Sequence, residues 1–218
     1  MNIRNQPASR ILVLALLVIA GGTALAEKPV IRPGDRVLFL GDSITAAGHY
    51  VSYVEAHLRL QIKGDPVEVI NLGLPSEGCT GLSEPDHPFP RPNVHERLAR
   101  ALEKTMPDVV VACYGMNDGI YYPFSKERFV KYQQGMRQLS QVIRKSGARL
   151  ILLTPPAFDP LPLKNAGKLL PAGEEKYAWF AIYEGYDDVI RKYADWLATE
   201  RRLADLVLDV YTPVVTYT

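Results

Sequence analysis

The sequence has little cysteine, little net charge and no long apolar run. Its two cysteines, Cys79 and Cys113, are too few for a disulfide scaffold and lack the clustered spacing of a zinc site. Lysine and arginine total 25 and aspartate and glutamate total 24, so the chain has no basic field that would attract nucleic acid or an acidic membrane surface. These absences disfavour a nucleic-acid-binding protein and a small disulfide-stapled domain.

The remaining composition is that of a folded globular protein. Hydrophobic residues make up 47% and charged residues 22% of the 218-residue chain, which is enough apolar surface to bury a core. The length suits one domain of ordinary size, and the sequence contains no internal repeat, low-complexity tract or linker that would divide it.

Residues 1–26 have the pattern of a secretory signal. Two arginines precede an apolar run at 11–20, and an A-x-A pattern follows at 24–26. The run is shorter than the roughly 20 apolar residues that span a bilayer, although an uncleaved anchor helix is the alternative. We expect residues 27–218 to form the mature domain, exported to the periplasm or the extracellular space without stable insertion in a membrane.

Short apolar runs alternate with helical patterns along the rest of the chain. The runs are typical of strands buried on both faces, and they fall at 36–41, 67–71, 108–114, 149–154 and 206–210. Helical patterns fall at 43–61, 94–104, 125–145 (with Ser125 as N-cap) and 174–202, the last interrupted near Gly185. This alternation predicts an α/β fold, a three-layer α/β/α domain around a five-stranded parallel sheet, with 2-1-3-4-5 as one common strand order.

The expected strand order predicts where a ligand would bind. In open parallel sheets, ligands bind beyond the carboxyl ends of the strands, at the point where the winding reverses. For this order the point lies between strands 1 and 3, and it brings together the loops at 41–45, 71–78 and 114–122.

Two polar motifs lie at that point. Ser43, in Gly-Asp-Ser-Ile-Thr at 41–45, would stand above the sheet beside the free N–H groups of a helix N-terminus, or would simply be an N-cap. Asn117, in Gly-Met-Asn-Asp at 115–118, could donate to an oxyanion, a role worth roughly 3–4 kcal/mol, or could belong to a turn. Two such motifs at neighbouring strand ends favour the catalytic interpretation.

These motifs resemble the first and third blocks of the SGNH (GDSL-type) serine hydrolases. The segment Asn-Leu-Gly-Leu-Pro-Ser-Glu at 71–77 resembles the second block of that family. The likeness covers roughly residues 36–210. It implies a flavodoxin-like hydrolase fold and the hydrolysis of acyl esters with no metal or other cofactor.

The resemblance also implies roles for individual residues. It makes Ser43 the nucleophile, and the backbone N–H groups of Ser43 and Ser76 together with the Asn117 amide the oxyanion hole. Four neighbouring residues would support these loops: Asp42, Gly73, Gly115 and Asp118. The family usually has glycine at the position of Ser76, so this loop must accommodate a Cβ atom while its N–H remains a donor.

The expected general base is absent from its usual place. A serine hydroxyl needs a base, and the family supplies a histidine from an Asp-x-x-His block after strand 5. The four histidines here all precede strand 4: His49, His57, His87 and His95. On one continuous helix, His57 would lie about 21 Å from Ser43 along the axis, and His49, about 9 Å along, would point elsewhere. We expect the other two to be surface residues, with substrate contact as the alternative.

Asp209 and Thr212 have the Asp-x-x-His spacing with threonine in the histidine's place. In the expected order the end of strand 5 is about 14 Å from strand 1, so Asp209 is too distant to orient a base at Ser43. We interpret this segment as the end of strand 5. The eight residues at 211–218 are largely apolar, and we expect them to be too few for a closing helix. We therefore expect a C-terminally incomplete domain that is inactive or nearly so, with a natural short, inactive relative as the alternative.

The sequence therefore predicts an exported serine esterase that cleaves small acyl esters, acetyl groups on carbohydrates among them. The alternative is a module of another class, which binds a glycan in the same pocket without chemistry. Aromatic residues that flank Asn117 could stack on a sugar or simply cover the sheet edge: Tyr114, Tyr121, Tyr122 and Phe124. We expect Cys113 to be a small buried residue, with a bridge to Cys79 as the less favoured option.

Overall fold

A computed structural model describes residues 29–217, so the expected signal segment lies outside the described residues. Its strands are β1 (Arg36–Gly41), β2 (Glu68–Asn71), β3 (Val109–Cys113), β4 (Arg149–Leu153), β5 (Leu169–Leu170), β6 (Ile182–Tyr183) and β7 (Leu206–Leu208). Five of them form one parallel sheet in the order β2-β1-β3-β4-β7. The predicted sheet and its order are confirmed.

Helices cover both faces of this sheet. They are α1 (Ser43–Ala46), α2 (His49–Gln61), α3 (Val94–Thr105), α4 (Lys126–Lys145), α5 (Leu161–Asn165), α6 (Tyr186–Thr199) and α7 (Tyr211–Tyr217). The side chain of Ser125 accepts from the Arg128 N–H and caps α4, as predicted. None of the described helices is both long and apolar enough to cross a membrane.

Alternate residues of the central strands enter two separate cores. Leu38 and Leu40 of β1 join the larger core, which α3, α4 and α6 cover. Val37 and Phe39 of the same strand face the smaller core, which α2 covers. Successive side chains of a strand point to opposite faces, so a run with no polar residue is buried on both sides. This explains why the strands could be recognised as continuous apolar runs.

The predicted helices differ from the structure in two places. The helix predicted at 43–61 is broken because Gly48 adopts a φ of +78°, in the left-handed region. The helix predicted at 174–202 is wrong before Tyr186. In that region the backbone forms hydrogen bonds to distant segments. Strand β6 pairs in parallel with β5, and the Tyr183 N–H donates to the Tyr121 carbonyl at 3.1 Å. These long-range hydrogen bonds outweigh the local helical pattern.

The end of the chain also differs from expectation. Strand β7 ends at Leu208, and residues 211–217, which the sequence analysis expected to lack a helix, form α7. Asp209 stabilises the start of this helix from outside it, because its Oδ1 accepts from the N–H groups of Tyr211 at 2.9 Å and Thr212 at 3.1 Å. Val214 and Val215, in this last apolar stretch, have exposed fractions of 40% and 47%.

Candidate active site

Ser43 is the first residue of α1, directly beyond the end of β1. Gly41 makes this turn possible, since a Cβ atom there would lie 2.1 Å from Thr45 Oγ1. Asp42 caps α1 by accepting from the Ile44 N–H at 2.9 Å. Burial raises the pKa of Asp42 to about 7, so this carboxyl is partly protonated at neutral pH. The Ser43 side chain, in contrast, is exposed.

The loop after β2 is bonded to this turn. Asn71 Nδ2 donates to the Thr45 carbonyl at 2.7 Å, and the Leu74 N–H donates to the Gly41 carbonyl at 2.8 Å. Gly73 packs so closely on α1 that an added Cβ atom would lie 2.3 Å from the Ala46 nitrogen. The turn after β1 and the loop after β2 are thus fixed relative to each other.

Ser76 adopts a backbone conformation that favours glycine. Its φ is +67°, inside the left-handed region that side chains with a Cβ atom rarely occupy. The residue is half-buried, and its carbonyl accepts from Arg91 Nη1 at 3.2 Å. The loop therefore accommodates the serine side chain, but in a strained conformation.

Asn117 follows β3, which is the direct neighbour of β1. Cys113, the last residue of β3, lies opposite Gly41, the last residue of β1. The buried amide of Asn117 donates through Nδ2 to the Glu77 carbonyl at 2.9 Å, and its Oδ1 accepts from the Tyr121 hydroxyl at 2.8 Å. The carbonyl partner identifies Nδ2 as the donor end of this amide. Within residues 29–217 the Glu77 carbonyl is the one acceptor bonded to Nδ2, so this bond uses one of its two hydrogens.

Asp118 joins the third loop to the second. Its Oδ1 accepts from the N–H groups of Cys79 at 2.8 Å and Thr80 at 3.0 Å, and burial raises its pKa. Gly115 has a φ of +139°, and a Cβ atom there would lie 2.8 Å from Pro155. The third loop is therefore held from both sides.

Sequence reasoning missed Glu77, whose side chain is fully buried beneath the site. It accepts from Arg97 Nε and Nη2 at 2.6 Å each, and from the Tyr114 hydroxyl at 2.6 Å. The second loop is thereby anchored to α3 through Arg97 and to the end of β3 through Tyr114. The only signal in the sequence was its place as the acidic last residue of the second motif.

A second buried ion pair was also missed. Arg91 donates to Glu84 through Nε and Nη2 at 2.6 Å each, and the two side chains have exposed fractions of 3% and 0%. Both belong to the Gly/Pro-rich loop that joins β2 to α3. Such a loop has no periodicity that reveals which of its charges are buried.

None of the four histidines, all of which lie within residues 29–217, is hydrogen-bonded to Ser43 in the structure. His49 and His57 are exposed on α2, and the His87 ring bonds to the Phe89 carbonyl. His95, on α3, is half-buried, and its burial lowers its pKa. In the described part of the chain no side chain is hydrogen-bonded to the Ser43 hydroxyl.

The aromatic residues that flank Asn117 range from buried to exposed, and both cysteines are buried. Tyr114 is buried, Tyr121 and Tyr122 are half-buried, and Phe124 is exposed. Cys79 and Cys113 are both buried free thiols, and burial raises the pKa of each. The disulfide considered from the sequence is not formed.

Comparison with known families assigns most of the chain to one family. Residues 39–215 match the model of the GDSL-like lipase/acylhydrolase family. The chain belongs to this family. Membership in the GDSL-like family makes it an ester hydrolase by class and confirms the resemblance drawn from the three motifs. No curated protein sequence matches the chain.

Solved structures show the same fold at low identity. BT4096, a gut microbial diltiazem-metabolizing enzyme, is 20% identical with a TM-score of 0.56; the match covers 85% of this chain but only 39% of BT4096. A catalytic variant of Axe2, an acetylxylan esterase from Geobacillus stearothermophilus with a histidine replaced by alanine, is 20% identical over 87% of this chain and 83% of Axe2, with a TM-score of 0.61. Other catalytic variants of Axe2 replace an aspartate or a serine. The acetyl xylan esterase AlAXEase is 22% identical over 84% of this chain and 80% of its own, with a TM-score of 0.51.

Proposed function

We propose that this protein is a serine esterase in which Ser43 attacks the carbonyl carbon of an acyl ester. The supporting observation is that three loops are joined into one site. The Leu74 N–H bonds to the Gly41 carbonyl, and Asn117 Nδ2 bonds to the Glu77 carbonyl. Since β1 and β3 are adjacent, Ser43 and Asn117 follow neighbouring strand ends.

The reaction needs donors where negative charge develops. As Ser43 Oγ bonds to the ester carbon, the carbonyl oxygen becomes an oxyanion. The second Nδ2 hydrogen of Asn117 and the N–H groups of Ser43 and Ser76 would donate to it. Loss of one such donor lowers kcat by about 10²–10³. The alcohol then leaves, and water releases the acid from the acylated serine.

A base must accept the Ser43 proton in this mechanism. The Axe2 variants named above identify serine, aspartate and histidine as catalytic positions in that esterase. Because no described side chain bonds to Ser43 Oγ, the proposal includes slow turnover for the 218-residue form. An oxyanion hole and substrate binding alone retain on the order of 10³–10⁴-fold acceleration over water.

For the substrate we propose acetyl esters on carbohydrates, handled outside the cytoplasm. Two solved structures of this fold are described as acetylxylan esterases. The signal pattern at 1–26 would export the protein to where plant and microbial polysaccharides occur.

Hydrolysis of 4-nitrophenyl acetate with added imidazole tests the proposal. Imidazole can replace a base that the site does not supply, and Ser43→Ala measures the reaction of imidazole alone. We expect imidazole to raise the rate above that of Ser43→Ala. Equal rates for the two proteins at every imidazole concentration would contradict the proposal. In that case, binding of an acetylated xylo-oligosaccharide without acetate release would support the glycan-binding alternative.

A further inference from the structure

The geometry points to Arg91 as the residue that positions both side-chain and backbone donors of the oxyanion hole. This inference rests on the proposed function and deepens it. Arg91 is only 6% exposed, so it does not present its charge to a substrate in solution. It lies instead behind two of the three loops that make the site.

Arg91 is itself held in one orientation. The two bonds from its guanidinium to Glu84 are both 2.6 Å long. A two-bond pair with a carboxylate fixes the plane of a guanidinium, which a single contact does not. The loop that carries the pair is closed at its base, where the Gly78 N–H donates to the Pro92 carbonyl and the Val94 N–H donates to the Gly78 carbonyl, both at 3.0 Å. The loop therefore presents Arg91 as a fixed group.

The first contact of Arg91 is with the second loop. Arg91 Nη1 donates to the Ser76 carbonyl at 3.2 Å. Ser76 has a φ of +67°, a conformation that is sterically unfavourable for a residue with a Cβ atom. A hydrogen bond to its carbonyl opposes relaxation of this strained backbone. The peptide groups of Ser76 are thereby held in one orientation.

The second contact of Arg91 leads to Asn117. The guanidinium carbon lies 5.3 Å from the centre of the Tyr121 ring, within the range of a cation–π interaction. Tyr121 also has a positive φ, of +62°, and its hydroxyl donates to Asn117 Oδ1 at 2.8 Å. Arg91 acts on the amide through Tyr121, which makes it a positioning residue.

These contacts matter because an oxyanion hole depends on preorganised donors. A misplacement of about 1 Å in such a group lowers the rate on the order of a hundredfold. A role limited to folding would change the free energy of unfolding without a specific effect on the donors. The two roles therefore predict different results for the same substitution.

The substitution that separates them is Glu84→Leu combined with Arg91→Met. Replacement of both members of a buried ion pair by apolar residues of similar volume leaves no unpaired charge, and such replacements are often neutral for stability. Arg91→Lys is a second variant, which keeps the charge but lacks the planar fork that bonds in several directions at once. Arg59→Met is the control, because Arg59 forms an exposed pair with Glu55 on α2.

The first measurement is the Ser43-dependent, imidazole-supported hydrolysis of 4-nitrophenyl acetate. We expect the double variant and Arg91→Lys to lower the maximal rate by about ten- to a hundredfold with little change in KM, and Arg59→Met to leave both unchanged. In an Asn117→Ala background the same changes should lower the rate by a smaller factor, because the part of the loss that acts through the Asn117 amide is already gone and only the part that acts through Ser76 remains. An equal loss in both backgrounds would overturn the inference.

The second measurement needs no turnover and so separates failure of this inference from failure of the proposed function. In the ¹⁵N-labelled 218-residue protein, we expect the side-chain amide signals of Asn117 and the backbone amide signal of Ser76 to move in the double variant and in Arg91→Lys, but not in Arg59→Met. Unchanged signals in both Arg91 variants would overturn the positioning role. Moved signals without Ser43-dependent hydrolysis in any protein would preserve that role and contradict the esterase proposal.

Discussion

The side-chain amide of Asn117 donates a 2.9 Å hydrogen bond to the backbone carbonyl of Glu77. This bond joins the loop that follows β3 to the loop that follows β2. It uses one of the two amide hydrogens of Asn117, and the Tyr121 hydroxyl occupies the amide oxygen. The remaining hydrogen is thereby held in a fixed direction before any substrate arrives.

Asn117→Ala should remove one donor from the oxyanion hole. We expect the Ser43-dependent hydrolysis of 4-nitrophenyl acetate, measured with added imidazole, to fall by about 10²–10³. The control is Asn165→Ala, at an exposed position at the end of α5, which should retain the full rate. Similar rates for the two variants would show that Asn117 is not a donor to the oxyanion.

Glu77→Gln should destabilise the fold, because it leaves the Arg97 guanidinium without its carboxylate partner. Removal of one member of a buried ion pair costs about 3–5 kcal/mol in the free energy of unfolding. Urea denaturation measures this value. The matched control is Glu68→Gln, since Glu68 pairs with Arg36 at the surface and has an exposed side-chain fraction of 57%.

For that exposed pair we expect a loss of at most about 1 kcal/mol. Equal losses for the two substitutions would mean that the Glu77–Arg97 pair does not anchor the second loop.

Ser76→Gly should stabilise the protein by up to about 1 kcal/mol, since glycine adopts a positive φ without the steric cost of a Cβ atom. The same substitution at Ser52, an exposed position inside α2, should instead destabilise by about 0.5–1 kcal/mol. Thermal unfolding should give a higher unfolding temperature for Ser76→Gly and a lower one for Ser52→Gly than for the unsubstituted protein. A lower unfolding temperature for Ser76→Gly would argue that the serine side chain makes a stabilising contact of its own.

The parts of the fold that follow from local pattern could be predicted from the sequence. The central strands of the main sheet, β1, β3 and β4, are apolar runs because their two faces enter two cores. Gly41, Ser43 and Asn117 lie at or just beyond strand ends that the topology makes neighbours. The break at Gly48 could not be predicted with certainty, because an isolated glycine is tolerated in many helices.

The charged network behind the site depends on long-range contacts, which no periodicity reveals. Arg97 reaches Glu77 across 20 positions of the chain, and Asp118 reaches Cys79 across 39. Arg91 and Glu84 lie in a loop whose composition suggests only exposed polar residues. Strand β6, which replaces part of the predicted helix before Tyr186, also forms by pairing with a segment outside that helix. Local sequence patterns therefore predicted the positions of Ser43 and Asn117 better than those of the residues that support their loops.

The pH dependence of stability should reveal the buried carboxyl beside the nucleophile. The pKa of Asp42 is about 7 in the folded protein against an ordinary value of 3.8. Between these pH values the folded state retains a proton that the unfolded state has lost. The contribution of Asp42 to the free energy of unfolding is therefore full below about pH 4 and is lost as the pH rises through 7. Asp42→Asn keeps a cap for α1 but removes the titration.

We therefore expect stability to fall less between pH 4 and 7.5 in Asp42→Asn than in the parent, measured by urea denaturation at each pH. Asp65→Asn, at an exposed position, is the control and should keep the parental slope. The buried carboxyl of Asp118, whose pKa burial also raises, would account for slope that remains. Identical slopes for Asp42→Asn and the parent would contradict the assignment.

The most direct test of the central claim is a crystal structure of the protein after reaction with a phosphonate ester, a mimic of the tetrahedral intermediate. The account predicts phosphorus bonded to Ser43 Oγ and a phosphonate oxygen within about 2.7–3.1 Å of Asn117 Nδ2. An adduct at Ser43 whose oxygens all point away from Asn117, or an adduct on another residue, would contradict it.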